Sequence, residues 1–421
     1  MRLTLINQFY APDLSPTAHL CASLAEHRAA MGDRVTVLCG RGGYVKAVGG
    51  AEDRGVRVVR VWTAQLGSRS LLSRLIDWVT FYIVAMARAA LLPRQDVIVC
   101  LTTPPYIVLA GMLQKLQRPR TRLVLWNMDC YPEAAERTGM IRAGSLASRV
   151  MRALNRAIFR RIDHLVCLDT AMQGLLLSQY APTHRELPVD LIPNWERARF
   201  FPNDRNDPKW DDPVAERLNG KFVVLYLGNA GYGHEFATTI EAAERLREEP
   251  IVFLFVGGGA MRRWIADQAI RRGLSNIILH EYVAKEQTPA VMAVAGCALI
   301  TLEEYAAGVM SPSKLHSNLA MGLPILYIGP RKSNVDEAIE RFGCGASLRP
   351  GDADAAAAFL RTLLQDRDKH ERLRSRAREA FEQAYCDDRT LPRFDALFER
   401  LDPARVVDRA KAHSEESAVA S

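Results

Sequence analysis

Strand-like apolar runs alternate with helix-like stretches twice over in this chain, and that alternation constrains its fold more than any other feature. In the first half the runs are Leu3–Ile6, Val35–Leu38, Val56–Val61, Val97–Leu101, Arg122–Trp126 and His164–Leu168. Between the first two, Thr17–Met31 carries Leu20, Leu24 and Ala25 on one helical face. The pattern restarts with Phe222–Leu227, a helix around Thr238–Arg247, and the runs Ile251–Val256, Ile277–Leu279, Cys297–Leu302 and Ile325–Ile328. Continuous apolar strands separated by helices belong to parallel sheets covered on both faces. Each half therefore predicts a doubly wound α/β, Rossmann-like unit.

With 421 residues, two is also the natural number of domains. The stretch from Pro193 to Gly220, with its Pro, Asn and Asp, reads as the connection. The expected organisation is one domain over 1–200 and a second over 201–388. A last helix around 389–410 and a disordered tail over 411–421 follow. Two such units face each other across a cleft at their strand C-termini, and ligands of such sheets bind there.

The net charge of +7 is unevenly spread. Residues 1–200 hold 26 Lys/Arg against 15 Asp/Glu, and residues 201–421 hold 29 against 33. A basic half suits an anionic partner such as a membrane surface or a phosphorylated lipid, and suits a solvated basic surface as well. Leu71–Leu92 is strongly apolar but is interrupted by Arg74, Asp77 and Arg88. A span needs about 20 predominantly apolar residues, so a transmembrane helix is excluded. An amphipathic helix on the inner leaflet remains, with Trp78, Phe81 and Tyr82 at the interface and Arg69, Arg74, Arg88 and Arg94 near phosphates. The alternative is a helix packed on the first sheet. The eight cysteines are scattered with no C-x-x-C, which predicts buried thiols rather than disulfides or a metal site. The N-terminus runs straight into a strand, with no signal-peptide pattern, so a cytoplasmic protein is expected.

Four loops carry candidate chemistry. Gly228-Asn229-Ala230-Gly231-Tyr232-Gly233 follows a strand and precedes a helix, a placement in which glycines let backbone approach a phosphate. The alternative is a tight turn. Ser311-Pro312-Ser313-Lys314 opens a helix, where a hydroxyl and a lysine can hold the diphosphate that leaves a sugar. Lys314 could equally be a surface lysine. Asp129-Cys130-Tyr131-Pro132-Glu133 follows the strand Arg122–Trp126. Asp129 and Glu133 there can accept a proton or hydrogen bond from a sugar hydroxyl, or Asp129 can cap a turn. The loop after the first strand holds Ser15, Thr17 and His19 at the cleft, with packing the rival role for His19.

The arrangement resembles the family-4 retaining glycosyltransferases of the GT-B fold, in particular those that build bacterial capsule, O-antigen and exopolysaccharide units. The likeness rests on Gln8-Phe9-Tyr10-Ala11-Pro12-Asp13, Asp129-Cys130-Tyr131-Pro132-Glu133, Ile192-Pro193-Asn194-Trp195 and Gly228-Asn229-Ala230-Gly231 with His234-Glu235. Val256-Gly257-Gly258-Gly259 and Pro312-Ser313-Lys314-Leu315 leading to Ala320-Met321-Gly322-Leu323-Pro324 complete it. The resemblance implies a UDP- or GDP-sugar in the second domain and an acceptor in the first, with no other cofactor and no obligatory metal. Donor contacts would fall to Gly228, Asn229, Gly231, Gly257, Tyr282, Ser313, Lys314 and Ser317. Asp129 would be the catalytic residue, and Ser15, Thr17, His19, Tyr131 and Glu133 would meet the acceptor. It also implies that the last helix crosses back to the first domain.

This chain departs from the family pattern where two glutamates eight positions apart are usual: Val309 and Ser317 stand there. Tyr232 and His234 replace the usual Arg and Lys of the Gly-rich loop. The expected activity is transfer of a hexose, deoxyhexose or N-acetylhexosamine to a polyprenyl-diphosphate-linked saccharide at the inner membrane, with no nucleic-acid partner. A non-catalytic GT-B scaffold and a nucleotide-sugar epimerase are the alternatives.

Overall fold

The structure is a computed structural model that describes residues 1–13, 15–41, 54–64, 71–201 and 209–402. The expected tail 411–421, residues 403–410 of the expected last helix, residues 202–208 of the connection, and Arg69 lie outside these residues. The first domain is built on seven strands: β1 (Arg2–Ile6), β2 (Arg34–Gly40), β3 (Arg57–Val61), β4 (Val97–Cys100), β5 (Arg122–Trp126), β6 (His164–Cys167) and β7 (Val189–Leu191). They form one parallel sheet in the order β3-β2-β1-β4-β5-β6-β7. The second domain holds β8 (Phe222–Leu227), β9 (Ile251–Val256), β10 (Ile277–His280), β11 (Cys297–Thr301), β12 (Ile325–Ile328) and β13 (Gly345–Leu348). Their order is β10-β9-β8-β11-β12-β13, again parallel. The observed bounds differ from the expected ones by one or two residues at strand and helix ends.

Every residue of β4 and β9 is buried, as strands covered on both faces require. The covering helices of the first domain are α1 (Pro16–Ala30), α2 (Leu71–Leu91), α3 (Val108–Gln117), α4 (Glu133–Arg137), α5 (Leu146–Phe159) and α6 (Thr170–Tyr180). Strand order reverses between β1 and β4 in one sheet and between β8 and β11 in the other. The loops leaving these strands open a crevice at each reversal, where ligands of such sheets sit.

The helix α2 does not present its aromatic residues outward. Phe81 is fully buried in the first core and Tyr82 packs against that core, while Trp78 is half-buried. The outward residues are Ile76, Val79, Ile83 and Leu91. The packed-helix alternative thus holds for the aromatic face, because the Phe81 and Tyr82 rings contribute more apolar burial against the core than the aliphatic edge would. Among the described residues no helix is long and apolar enough to cross a membrane. All eight cysteines are buried and unpaired.

Among the described residues the domains are tied together at three places, one of them the hydrogen bond from Thr170 to Glu337. The loop 305–310 of the second domain meets the loop after β5: Cys130 N donates to Val309 O at 3.0 Å, and Arg137 donates to Tyr305 O at 2.9 Å and to Ala307 O at 2.8 Å. The third tie is the chain end. A short π-helical turn, Phe381–Tyr385, leads to Cys386, which bridges Glu196. The helix Asp387–Leu401 then lays Leu391, Phe394, Leu397 and Phe398 into the core of the first domain. Phe394 meets Trp126 edge-on at 4.7 Å, and Trp126 stacks on Trp195 at 5.6 Å.

Candidate active site

On the second-domain side, two glycine loops are zipped together by backbone. Gly228 N donates to Val256 O at 2.8 Å and Ala230 N to Gly258 O at 2.7 Å, while Met261 N returns to Ala230 O at 2.9 Å. Gly257 and Gly259 have φ of +130° and +121°. A Cβ on Gly257 would lie 2.4 Å from Gly228 O, and one on Gly259 would lie 2.3 Å from Ala230 O. These two glycines serve the contact between the loops. Gly228, with φ +118°, turns the first loop towards Lys314, whose Cε would lie 3.1 Å from a Cβ placed there.

Lys314 opens the short helix Lys314–Ala320 directly below this loop. Its Nζ donates to the Tyr226 hydroxyl at 2.5 Å and to Asn229 O at 3.2 Å, and sits 4.0 Å from the Tyr226 ring centroid. No carboxylate pairs with it among the described residues. Burial pushes its pKa down to about 7. A cation held this way lacks a counter-charge and is poised to take an anion. Ser313 precedes it with no capping hydrogen bond from its hydroxyl, and Ser317 donates back to Lys314 O at 3.3 Å. Tyr282 is 61% exposed and its ring lies against Gly258.

His234, in the same loop, has Nδ1 2.7 Å from Thr301 O. A carbonyl only accepts, so the proton is on Nδ1 and Nε2 is left as an acceptor. Burial, with the nearby Lys314 charge, pushes its pKa down to about 3 and keeps the ring neutral. Beside it, buried Glu235 accepts from Thr238 N at 2.8 Å with one oxygen, while the other has no partner among the described residues. Burial holds the Glu235 carboxyl above its usual range.

On the first-domain side, Thr102 after β4 accepts from Met128 N at 3.0 Å and Asp129 N at 3.2 Å, fixing the loop after β5. The Asp129 carboxyl has no hydrogen-bond partner among the described residues, and burial pushes its pKa up to about 6. It lines a cavity with Thr102, Tyr106, Asn127, Tyr131 and Asn155. Glu133 is buried: one oxygen takes the Tyr180 hydroxyl at 2.5 Å and Arg152 at 3.0 Å. Its other oxygen is free among the described residues. Tyr131 is half-buried, and its carbonyl accepts from Asn155 at 2.6 Å. Ser15 caps α1, accepting from Ala18 N at 3.1 Å, and its hydroxyl lies 3.0 Å from that of Thr17. His19 is half-buried in the first turn of the same helix.

The fold thus brings Gly228, Asn229, Gly231, Ser313, Lys314 and Ser317 together on one side and Asp129 and Tyr131 on the other. Ser15, Thr17 and His19 lie at a separate strand end. Thr102 escaped the sequence reading, as did the roles of Tyr226 and Met310. Tyr226 looks like an ordinary strand residue, and nothing local marks a bridge between residues 181 positions apart, as Asp129 and Met310 are.

Two family models cover most of the chain. Residues 17–195 match a glycosyl transferase 4-like domain, and residues 208–380 match glycosyl transferases group 1. The chain belongs to the glycosyltransferases. The transferase is 26% identical over 386 residues to the colanic acid biosynthesis glycosyl transferase WcaI of Escherichia coli (strain K12), covering 86% of this chain and 92% of that protein. It is 25% identical over 274 residues to the glycosyltransferase WbjE of Pseudomonas aeruginosa, covering 63% and 66%. Among solved structures it is similar to sucrose-phosphate synthase from Thermosynechococcus elongatus, with TM-score 0.70, 16% identity, and 96% and 100% of the two chains covered. Anabaena HepE in complex with UDP and glucose gives TM-score 0.67 and 15% identity over 95% and 99%. The fold of the transferase is GT-B.

Proposed function

We propose that this glycosyltransferase moves a sugar from a nucleoside-diphosphate sugar to a saccharide or lipid-linked acceptor in the assembly of a cell-surface polysaccharide, with retention of configuration. The observation that carries the reading is Lys314: a half-buried ammonium with no carboxylate partner among the described residues, at the strand-order reversal, held against the Gly228-Asn229 turn. The name of WcaI supports the polysaccharide setting, and the UDP and UDP-glucose bound to HepE support a UDP-type donor, with GDP the alternative. The acceptor on this reading is a polyprenyl-diphosphate-linked saccharide at the cytoplasmic face of the inner membrane.

In the transfer, the acceptor oxygen bonds to the anomeric carbon as the bond from that carbon to the diphosphate breaks. The acceptor proton passes to a phosphate oxygen of the leaving group on the same face of the sugar. Lys314 stabilises the charge that gathers on the diphosphate. Asp129 accepts a hydrogen bond from the acceptor and orients it. Tyr131 borders the acceptor, while Glu133 holds the loop through Arg152 and Tyr180.

The test is a thermal-shift panel with UDP, GDP, dTDP, ADP and NAD. A ligand at a hundredfold its Kd stabilises by about 2.7 kcal/mol. One nucleoside diphosphate should raise the midpoint, and Lys314→Ala should abolish that rise. A shift with NAD alone would sink the proposal. A non-catalytic scaffold is the second reading, favoured by Val309 and Ser317 in place of the usual carboxylates. Nucleotide binding without acceptor-dependent release of nucleoside diphosphate would support it. Turnover of the sugar nucleotide without an acceptor would point to an epimerase.

A further inference from the structure

We propose that the outer face of the first domain, formed by α2 and α5, docks on an anionic lipid bilayer. The inference stands apart from the transfer reading, because it needs no turnover.

The face follows from topology. The steps β3 to β4, β4 to β5 and β5 to β6 all run in one direction across the sheet, through α2, α3 and α5. Right-handed crossovers in one direction put their helices on one side. The step β1 to β2 runs the other way, so α1 covers the opposite side. The outer surface of the α2, α3 and α5 layer is therefore one continuous face. These helices follow strand C-termini, so their N-terminal ends lie towards the cleft.

Apolar side chains stand out from that layer. On α2, Ile76, Val79, Ile83 and Leu91 are exposed, the last two at 64% and 78%. Steps of three, four and eight residues keep them on one stripe. On α5, Leu146 and Val150 are one turn apart and 79% and 58% exposed. Side chains of this size at this exposure, in rows on the two helices that flank α3 in one layer, mark an interaction surface.

Charge names the partner. Between residues 71 and 163 there are 14 Lys/Arg and 6 Asp/Glu, which accounts for most of the basic excess of the first half. None of the six acids is exposed. Asp77 and Glu133 are buried, Glu136 pairs with Arg152 at 2.6 Å, and Asp163 pairs with Lys115 at 2.5 Å. Arg88, Arg94, Arg142, Arg149, Arg156 and Arg160 are exposed and make no ion pair among the described residues. Within residues 71–163 the exposed unpaired charges are cationic, and around aliphatic rows they complement anionic headgroups over an apolar interior. Docked this way, the chain holds its cleft beside the membrane plane, within reach of a lipid-linked acceptor.

The test is co-sedimentation of the full chain with vesicles of phosphatidylcholine alone or with phosphatidylglycerol. Binding is expected only to the anionic vesicles, and it should weaken as salt screens the arginines. Arg149→Glu with Arg156→Glu, and separately Ile83→Asp with Leu146→Asp, should each weaken it about tenfold or more. All four sites are exposed, so the unfolding midpoint and the nucleotide-induced thermal shift should stay at wild-type values. Equal binding to both vesicle types, no binding to either, or full binding by both double variants overturns the proposal. A dimer in sedimentation velocity that Ile83→Asp with Leu146→Asp disperses, without vesicle binding, would assign the face to a second copy instead.

Discussion

Across the cleft, the backbone of Asp129 pairs with that of Met310 in an antiparallel bridge. This joins the loop after β5 to the segment that enters the Lys314 helix four residues later. The unpaired carboxyl of one domain and the unpaired ammonium of the other are therefore set by one backbone contact. On the proposed function, donor and acceptor would meet here, and a closed contact at this point would exclude water from the reacting centre.

Asp129→Asn tests the first half of that pair. It keeps the shape and removes the charge, so activity should fall at least about a hundredfold with nucleotide affinity unchanged. Stability should move the other way. The folded-state pKa of about 6 lies above the ordinary value of 3.8, so folding favours the protonated acid. The wild type should match the variant below about pH 4, lose ground as pH rises through 6, and trail by a constant amount above that. The deficit is about 3 kcal/mol at most. Denaturant unfolding across pH measures it, and a variant less stable than wild type at pH 8 would sink the idea.

Lys314→Met tests the other half. The folded-state pKa of about 7 lies below the ordinary 10.5, so folding disfavours the protonated amine. The variant should be more stable than wild type below pH 7, with the gain fading as pH rises towards 10.5. Nucleotide binding should fall about tenfold or more, since a charge-assisted contact is lost. In the wild type, the Kd for the nucleoside diphosphate should rise with pH above 7, by up to about tenfold per unit, because the anion needs the protonated amine. Titration calorimetry from pH 6 to 9 reads this, and a flat profile would remove Lys314 from the site.

The sheets were legible in the sequence and the meeting of the loops was not. β5, β8, β9 and β12 end where their apolar runs end, because a strand buried on both faces must be continuously apolar. The edge strands β7 and β13 carry no such signal: Val189–Leu191 is three half-buried residues, and Gly345–Leu348 reads Gly-Ala-Ser-Leu. Ser313-Lys314 could be read as a helix start because that cue is local. The Asp129 bridge, the orphaned Lys314 charge and the direction of α2 depend on which surfaces meet. The aromatic residues of α2 looked like membrane anchors in isolation, yet they face the sheet that gives them more to bury.

The glycine loops give a pair of contrasting substitutions. Gly259→Ala puts a Cβ 2.3 Å from Ala230 O at a φ of +121°, so the two loops must part. The variant should lose about 2–4 kcal/mol or fail to accumulate, and whatever folds should bind nucleotide weakly. Gly174→Ala, within α6 and with open space around its Cβ, should instead gain about 0.5–1 kcal/mol. Thermal unfolding of both compares them directly. Equal, small effects would mean that the zipped loops are not a requirement of the fold.

The returning helix is held by a charge cluster as well as by rings. Asp395 accepts from Arg28 at 2.7 Å and lies 2.8 Å from His27 Nε2, both on α1. Arg28 also pairs with Asp33 and lies over the Phe398 ring at 5.1 Å. Asp395→Asn leaves the buried Arg28 with one carboxylate rather than two. A fully orphaned buried charge costs about 3–5 kcal/mol, so the loss here should be smaller, about 1–2 kcal/mol. Phe394→Ala opens a cavity between Trp126 and Trp195 and should cost about 3–5 kcal/mol. Tryptophan emission reports both, because these two rings pack on that helix. If the helix anchors the first domain, the Phe394 variant should show a tryptophan shift before global unfolding. A single transition with unchanged emission in both variants would mean that the helix merely rests on the surface.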